Sequence, residues 1–165
     1  MYTVHIRPQL APLIPAANMI LHILDYARKN SGCVIAICNC ENGHPLEVHT
    51  LQELPNWERD LYLIPHQAYS LKGKNELFSY NVTENPKKQG AVKLGEFAFV
   101  TLGLRPEHNA LTSALLASFS SPISLNGYSE AYLEEICVGI KNLNQWDNYV
   151  RLRTKIQDEK ILLLN

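Results

Sequence analysis

Cys38, Cys40, Glu47 and His49 are the residues whose types and spacing could do chemistry together. They flank Asn42-Gly43, a dipeptide that tolerates the positive φ angles of a two-residue hairpin turn. With those residues as the turn, Glu41 faces His44, Cys38 faces Glu47 and Ala36 faces His49, and the four side chains share one sheet face. A thiol beside an imidazole oriented by a carboxylate is the minimum for a cysteine-dependent hydrolase or transferase. The same face offers soft and borderline ligands to zinc, as in a zinc-stabilised interaction domain. A plainer reading competes with both: cysteine is often buried as a small hydrophobe, and Cys-x-Cys lacks the Cys-x-x-Cys spacing of a zinc knuckle. The expectation is therefore core packing, with catalysis or metal binding as alternatives.

Other chemical signals are sparse. His5, His22, His44, His66 and His108 are scattered, without a His-x-x-x-His pair, and His22 and His108 read as surface residues. Gly90, Gly95 and Gly103 form no phosphate cradle and no Gly-Lys-Ser/Thr occurs, so nucleotide chemistry of the P-loop or dinucleotide kind is not expected. Ser120 and Ser121 lack the Gly-x-Ser-x-Gly elbow of common hydrolases. Asn81-Val82-Thr83 matches a glycosylation acceptor by chance composition. Trp57, Tyr62, Tyr69, Phe78, Tyr80, Phe97 and Phe99 read as core, with an aromatic-lined pocket as the alternative. No cofactor is expected.

The elements that must position these residues follow from periodicity. Val4 to Arg7 reads as a short opening strand. A helix begins near Pro15, with Ala16, Ile20, Ile23, Leu24 and Ala27 on its apolar face and Gly32 as its stop. Val34-Ile35-Ala36-Ile37 is an apolar run suited to a central strand, and Leu46 to Leu51 is its partner. Within residues 52–75, Pro55 and Pro65 frame Trp57 to Ile64, a segment that fits a short helix or a strand equally. Leu77 to Val82 and Ala91 to Leu102 read as a second hairpin about the turn 84–90. Pro106 and Glu107 open a helix carrying Leu111, Leu115 and Phe119, whose Ala110, Ala114 and Ala117 allow close approach to a neighbour. Ser129 caps another helix with Leu133, Ile136, Ile140 and Leu143 as its stripe. The pattern resumes through Trp146, Tyr149, Val150 and Ile156, as a continuation to about residue 160 or after one break.

The chain has 165 residues, 46% hydrophobic and 19% charged, as expected for one domain over 1–165 with its own core. Fifteen basic against sixteen acidic residues leave a formal charge of −1, so no global field draws nucleic acid, and Arg151, Arg153 and Lys155 read as an exposed helix face. The longest apolar-rich run, Leu10 to Leu24, is broken by Pro12, Pro15, Asn18 and His22, which argues against a membrane span. It also lacks a basic leader and cleavage site, so a cytoplasmic setting with reduced thiols is expected.

These elements specify an α+β fold, an antiparallel sheet flanked by helices with a long C-terminal helix. Their order looks like that of GAF, PAS and profilin-like sensory domains. Tyr128-Ser129-Glu130-Ala131-Tyr132-Leu133-Glu134-Glu135-Ile136, running into Ile140, is similar to the closing helix of GAF domains. The resemblance covers that stretch and the element order; the bilin-attaching cysteine motif of some such domains is absent, and no binding residue is carried over. The functional expectation is a non-enzymatic regulatory or adaptor module that binds a protein partner or a small apolar ligand. Partner binding or self-association as a homo-oligomer is expected through Trp146, Tyr149, Val150 and Ile156 on a C-terminal helix projecting beyond the core.

Overall fold

A computed structural model of the chain describes residues 7–24, 26, 32–52, 60–120 and 128–159, apart from the side chains of residues 128 and 129. The opening strand expected at Val4 to Arg7, Ala27 of the first helix, and Trp57 lie wholly or mostly outside the described residues. A 3₁₀ turn at Ala11–Leu13 leads into helix α1, Ile14–Ile23. Strands β1, Cys33–Asn39, and β2, Pro45–Leu51, form the first hairpin. Helix α2, Leu63–Ser70, runs through Pro65, which is tolerated because the first turn needs no N–H there.

The second hairpin differs from the expected one. Leu77 to Val82 is not a strand: Phe78 makes one bridge to Val92, and a 3₁₀ turn follows at Ser79–Asn81. The long run from Ala91 to Leu102 folds on itself instead, as β3, Ala91–Leu94, and β4, Phe97–Leu102, about Gly95-Glu96. The apolar residues on both sides conceal a turn whose cues are Gly95 and Glu96, which is why the pattern reads as one strand.

The sheet is antiparallel with order β2-β1-β4-β3, so β1 is central, as its apolar run predicts. One face carries Val34, Ala36, Cys38, Ala98 and Val100 and is covered by α2 through Leu63, Ile64, Ala68 and Leu71. The small residues of that face let the short helix lie close. The other face carries Ile35, Ile37, Val92, Phe97 and Phe99 and is covered by helices. Helix α3, Pro106–Ser120, is buried from Asn109 to Ser118 because it lies between the sheet and the remaining helices, and its alanines sit in that contact. Ser113 fixes it to the sheet, its hydroxyl 2.6 Å from the Gly90 carbonyl and 2.7 Å from the Thr101 hydroxyl.

Helices α4, Tyr128–Asn142, and α5, Trp146–Asp158, complete this layer with one break between them. At the break Asn144 takes φ 58°, while the amides of Gln145 and Asn144 return to the carbonyls of Ile140 and Lys141. That pair of hydrogen bonds around a left-handed residue is a Schellman termination. The α+β class expected from the sequence is the one observed. Among the described residues no helix is long and apolar enough to cross a membrane.

Candidate functional site

The first hairpin does not bring the four chemistry-bearing side chains together. Its turn is longer than expected, with the Gly43 amide donating to the Asn39 carbonyl at 2.7 Å and the Asn39 amide to the His44 carbonyl at 3.0 Å. The loop therefore spans residues 40–43, with φ 76° at Gly43, where a glycine is needed to close it. Asn42 Oδ1 accepts from the His44 amide at 2.8 Å, so Asn42 acts as a local cap rather than a central residue of a two-residue turn. Ile37 then pairs with Glu47, Ala36 with Val48 and Ile35 with His49, whereas Cys38 pairs with Pro45 and Leu46 is the extra residue of a bulge. Relative to the expected register the pairing slips by one, and a one-residue slip exchanges the faces of a strand. Cys38 joins the face under α2, and Glu47 and His49 join the opposite face.

The electrostatics follow from this separation. Cys38 and Cys40 are buried, and desolvation pushes their thiols up to about 12 and about 11 from an ordinary 9.0, with Lys93 partly opposing the rise at Cys40. Neutral thiols are weak nucleophiles near neutral pH. His49 is exposed on β2. Glu47 is occupied structurally, accepting from the Leu10 amide at 2.7 Å and lying 3.7 Å from the Arg7 guanidinium. Among the described residues no three His, Cys, Asp or Glu side chains converge as metal ligands.

The C-terminal residues are likewise placed differently from the expected docking face. Tyr149 is 3% exposed and Ile156 0%, both within the core beside Leu152, so the apolar stripe of α5 faces inward. Trp146 is partly buried, stacked on Tyr149 at 5.6 Å with the Lys141 ammonium 4.5 Å above its ring. Val150 alone of the four is exposed, at 42%. Helix α5 packs against α1, α3 and α4 and closes the core rather than projecting from it. Arg153, read as a surface charge, turns inward to donate to the Ser118 and Tyr149 hydroxyls at 3.2 and 3.0 Å.

His108, also read as a surface residue, is half-buried in a small polar knot. Its Nδ1 lies 2.7 Å from the Tyr26 hydroxyl, which accepts from the Arg105 amide at 3.0 Å. Burial lowers the His108 pKa, with Glu107 partly opposing, which favours the neutral imidazole in this contact. This arrangement ties the chain at Tyr26 to the start of α3.

Among the described residues, a feature with the shape of a site lies between the Ser79–Asn81 turn and α4. It is a groove of about 460 Å³ with Leu77, Phe78, Tyr80, Ala131, Val138 and Gly139 along its walls. Glu76, Glu134 and Glu135 lie around it with Asn75, Asn81 and Asn142, and among the described residues its lining contains no Lys, Arg or His. Close approach of the two walls depends on Gly139, since a Cβ there would overlap the Phe78 ring. The Tyr80 hydroxyl donates to the Gly139 carbonyl at 2.9 Å and pins the turn against the helix. Asn81 donates to Glu76 at 3.1 Å and orients that carboxylate.

The core stripe of α4 dominates its apolar pattern and hides a second stripe that faces the groove. Ala131, Glu134, Glu135, Val138 and Asn142 recur at helical spacing on another side of the same helix, and a glycine inside a helical pattern marks close packing. The side facing them comes from a distant turn that no local pattern announces. Chemically the groove offers carboxylates over apolar walls, with no nucleophile: it is suited to holding a cationic, partly apolar group. Comparison of the chain with protein-family models, curated proteins and solved structures gives no match.

Proposed function

We propose that this chain is a non-enzymatic regulatory or adaptor module that docks a basic, partly apolar segment of a protein partner in the groove beside α4. The observation that carries this reading is the pairing of apolar walls, Phe78 and Val138 among them, with the carboxylates of Glu76 and Glu134. Carboxylates at a rim select cationic partners and exclude anionic ones, while burial of apolar side chains supplies affinity. The inward placement of Tyr149 and Ile156 weighs against docking through α5. Separation of Cys38 from His49, with the thiols held neutral, weighs against a cysteine-dependent enzyme. A cytoplasmic setting is the reading consistent with cysteines present as free thiols.

The test uses two labelled amphipathic peptides of one pattern, Leu with Lys and Leu with Glu, followed by fluorescence anisotropy against the full chain. The Lys peptide is expected to bind and the Glu peptide not. Glu134→Lys is expected to weaken binding by roughly tenfold or more, whereas Glu84→Lys, reversing an exposed charge elsewhere, leaves it unchanged. No binding of the Lys peptide, or equal loss in the two variants, would overturn the proposal.

A further inference from the structure

The groove beside α4 has a direction, because one of its walls is a helix. Ala131, Glu134 and Val138 sit on successive turns of α4 and all are exposed, Val138 at 58%. The repeat along that wall is one helical turn, about 5.4 Å, with a carboxylate between two apolar contacts. The small Ala131 lets a partner come close to α4, and Val138 supplies apolar surface for it to cover.

The main chain of the walls is already engaged. On the turn side the carbonyls of Leu77, Phe78 and Ser79 accept from the amides of Lys93, Asn81 and Val82 at 2.8, 3.1 and 3.0 Å, and Phe78 bridges Val92 at the edge of β3. On the helix side the Gly139 carbonyl accepts from the Leu143 amide at 3.1 Å and from the Tyr80 hydroxyl at 2.9 Å. The groove therefore offers a partner side chains rather than a sheet edge. An extended segment laid there gains no ladder of main-chain hydrogen bonds, which is what gives strand addition its affinity. A helix closes its own hydrogen bonds and needs only side-chain contacts. It also repeats its side chains at the pitch of α4, so apolar residues at helical spacing meet the Ala131 and Val138 turns while lysines between them meet Glu134.

We infer that the partner segment held beside α4 is an amphipathic α-helix lying along α4, with apolar and lysine side chains on the face it presents. The inference rests on the docking reading above and adds the conformation of the partner. The test uses a labelled Leu/Lys peptide of about 12 residues, patterned at helical spacing and only marginally helical alone. Its twin carries Pro in place of one outward-facing central Ala, which breaks a helix without removing a contact residue. Against the full chain the twin is expected to bind roughly tenfold or more weakly, and the parent peptide is expected to gain helical circular dichroism on binding. Ala131→Lys and Val138→Lys, two turns apart at exposed positions that tolerate Lys, are each expected to weaken binding of the parent about threefold or more. Equal binding of the twin, no gain of helical signal, or an affinity unchanged by either variant overturns the inference and leaves the docking reading in place. A parent peptide that does not bind overturns both.

Discussion

The ring of Phe78 occupies the space that a Cβ on Gly139 would fill. A contact this close between a 3₁₀ turn and a helix sets the width of the groove, because the Tyr80 hydroxyl holds the same turn to the Gly139 carbonyl at 2.9 Å. Gly139→Ala gains up to about 1 kcal/mol in helix propensity but must displace a buried ring, a cost of roughly 1–3 kcal/mol. The expected outcome is net destabilisation by about 1–2 kcal/mol. Urea unfolding would show it as a lowered midpoint at unchanged slope; an equal or raised midpoint would mean that the ring yields freely.

The buried thiols make an alkaline prediction. Burial pushes Cys33 and Cys38 up to about 12 and Cys40 to about 11 from 9.0. Once the pH passes 9.0, the unfolded chain releases these protons and the folded one keeps them, so stability falls as pH rises from that value toward the folded ones. Replacing one thiol, as in Cys38→Ala, is expected to shrink the difference in unfolding free energy measured at about pH 8 and about pH 10. The same burial predicts that iodoacetamide labels Cys38 in step with unfolding. Labelling of the native protein at the rate of a free thiol would restore the nucleophile reading.

Helix α5 separates core from surface within a few residues. Ile156 is fully buried beside Leu152, so Ile156→Ala removes packed methyl groups and is expected to cost about 2–5 kcal/mol. Val150, at 42% exposure, is expected to tolerate Ala within about 0.5 kcal/mol. Thermal and denaturant unfolding of the two variants checks the contrast. Similar small effects for both would mean that α5 contributes little to the core.

Much of the architecture was legible in the residues. The doubly apolar run Val34 to Ile37 predicts the central strand, Pro106 and Glu107 mark the start of α3, and the alanines of α3 mark its close packing, because each depends on local preference and on which face is apolar. The turn inside Ala91 to Leu102 was hidden because every residue around Gly95 except Glu96 also suits a continuous strand.

What the chain determined alone was the class of fold, its first hairpin and the helices after it, since these follow from periods of 2.0 and 3.6 residues and from short-range turn chemistry. Register, facing and neighbourhood were decided only in three dimensions. One extra residue at Leu46 sends Cys38 and His49 to opposite faces, and the packing of α1, α3 and α4 determines that Tyr149 and Ile156 point inward. The groove exists because Phe78 and Gly139, remote in sequence, meet across two elements. Such relations depend on loop lengths and on competition among whole surfaces for burial, quantities that no local window of residues contains.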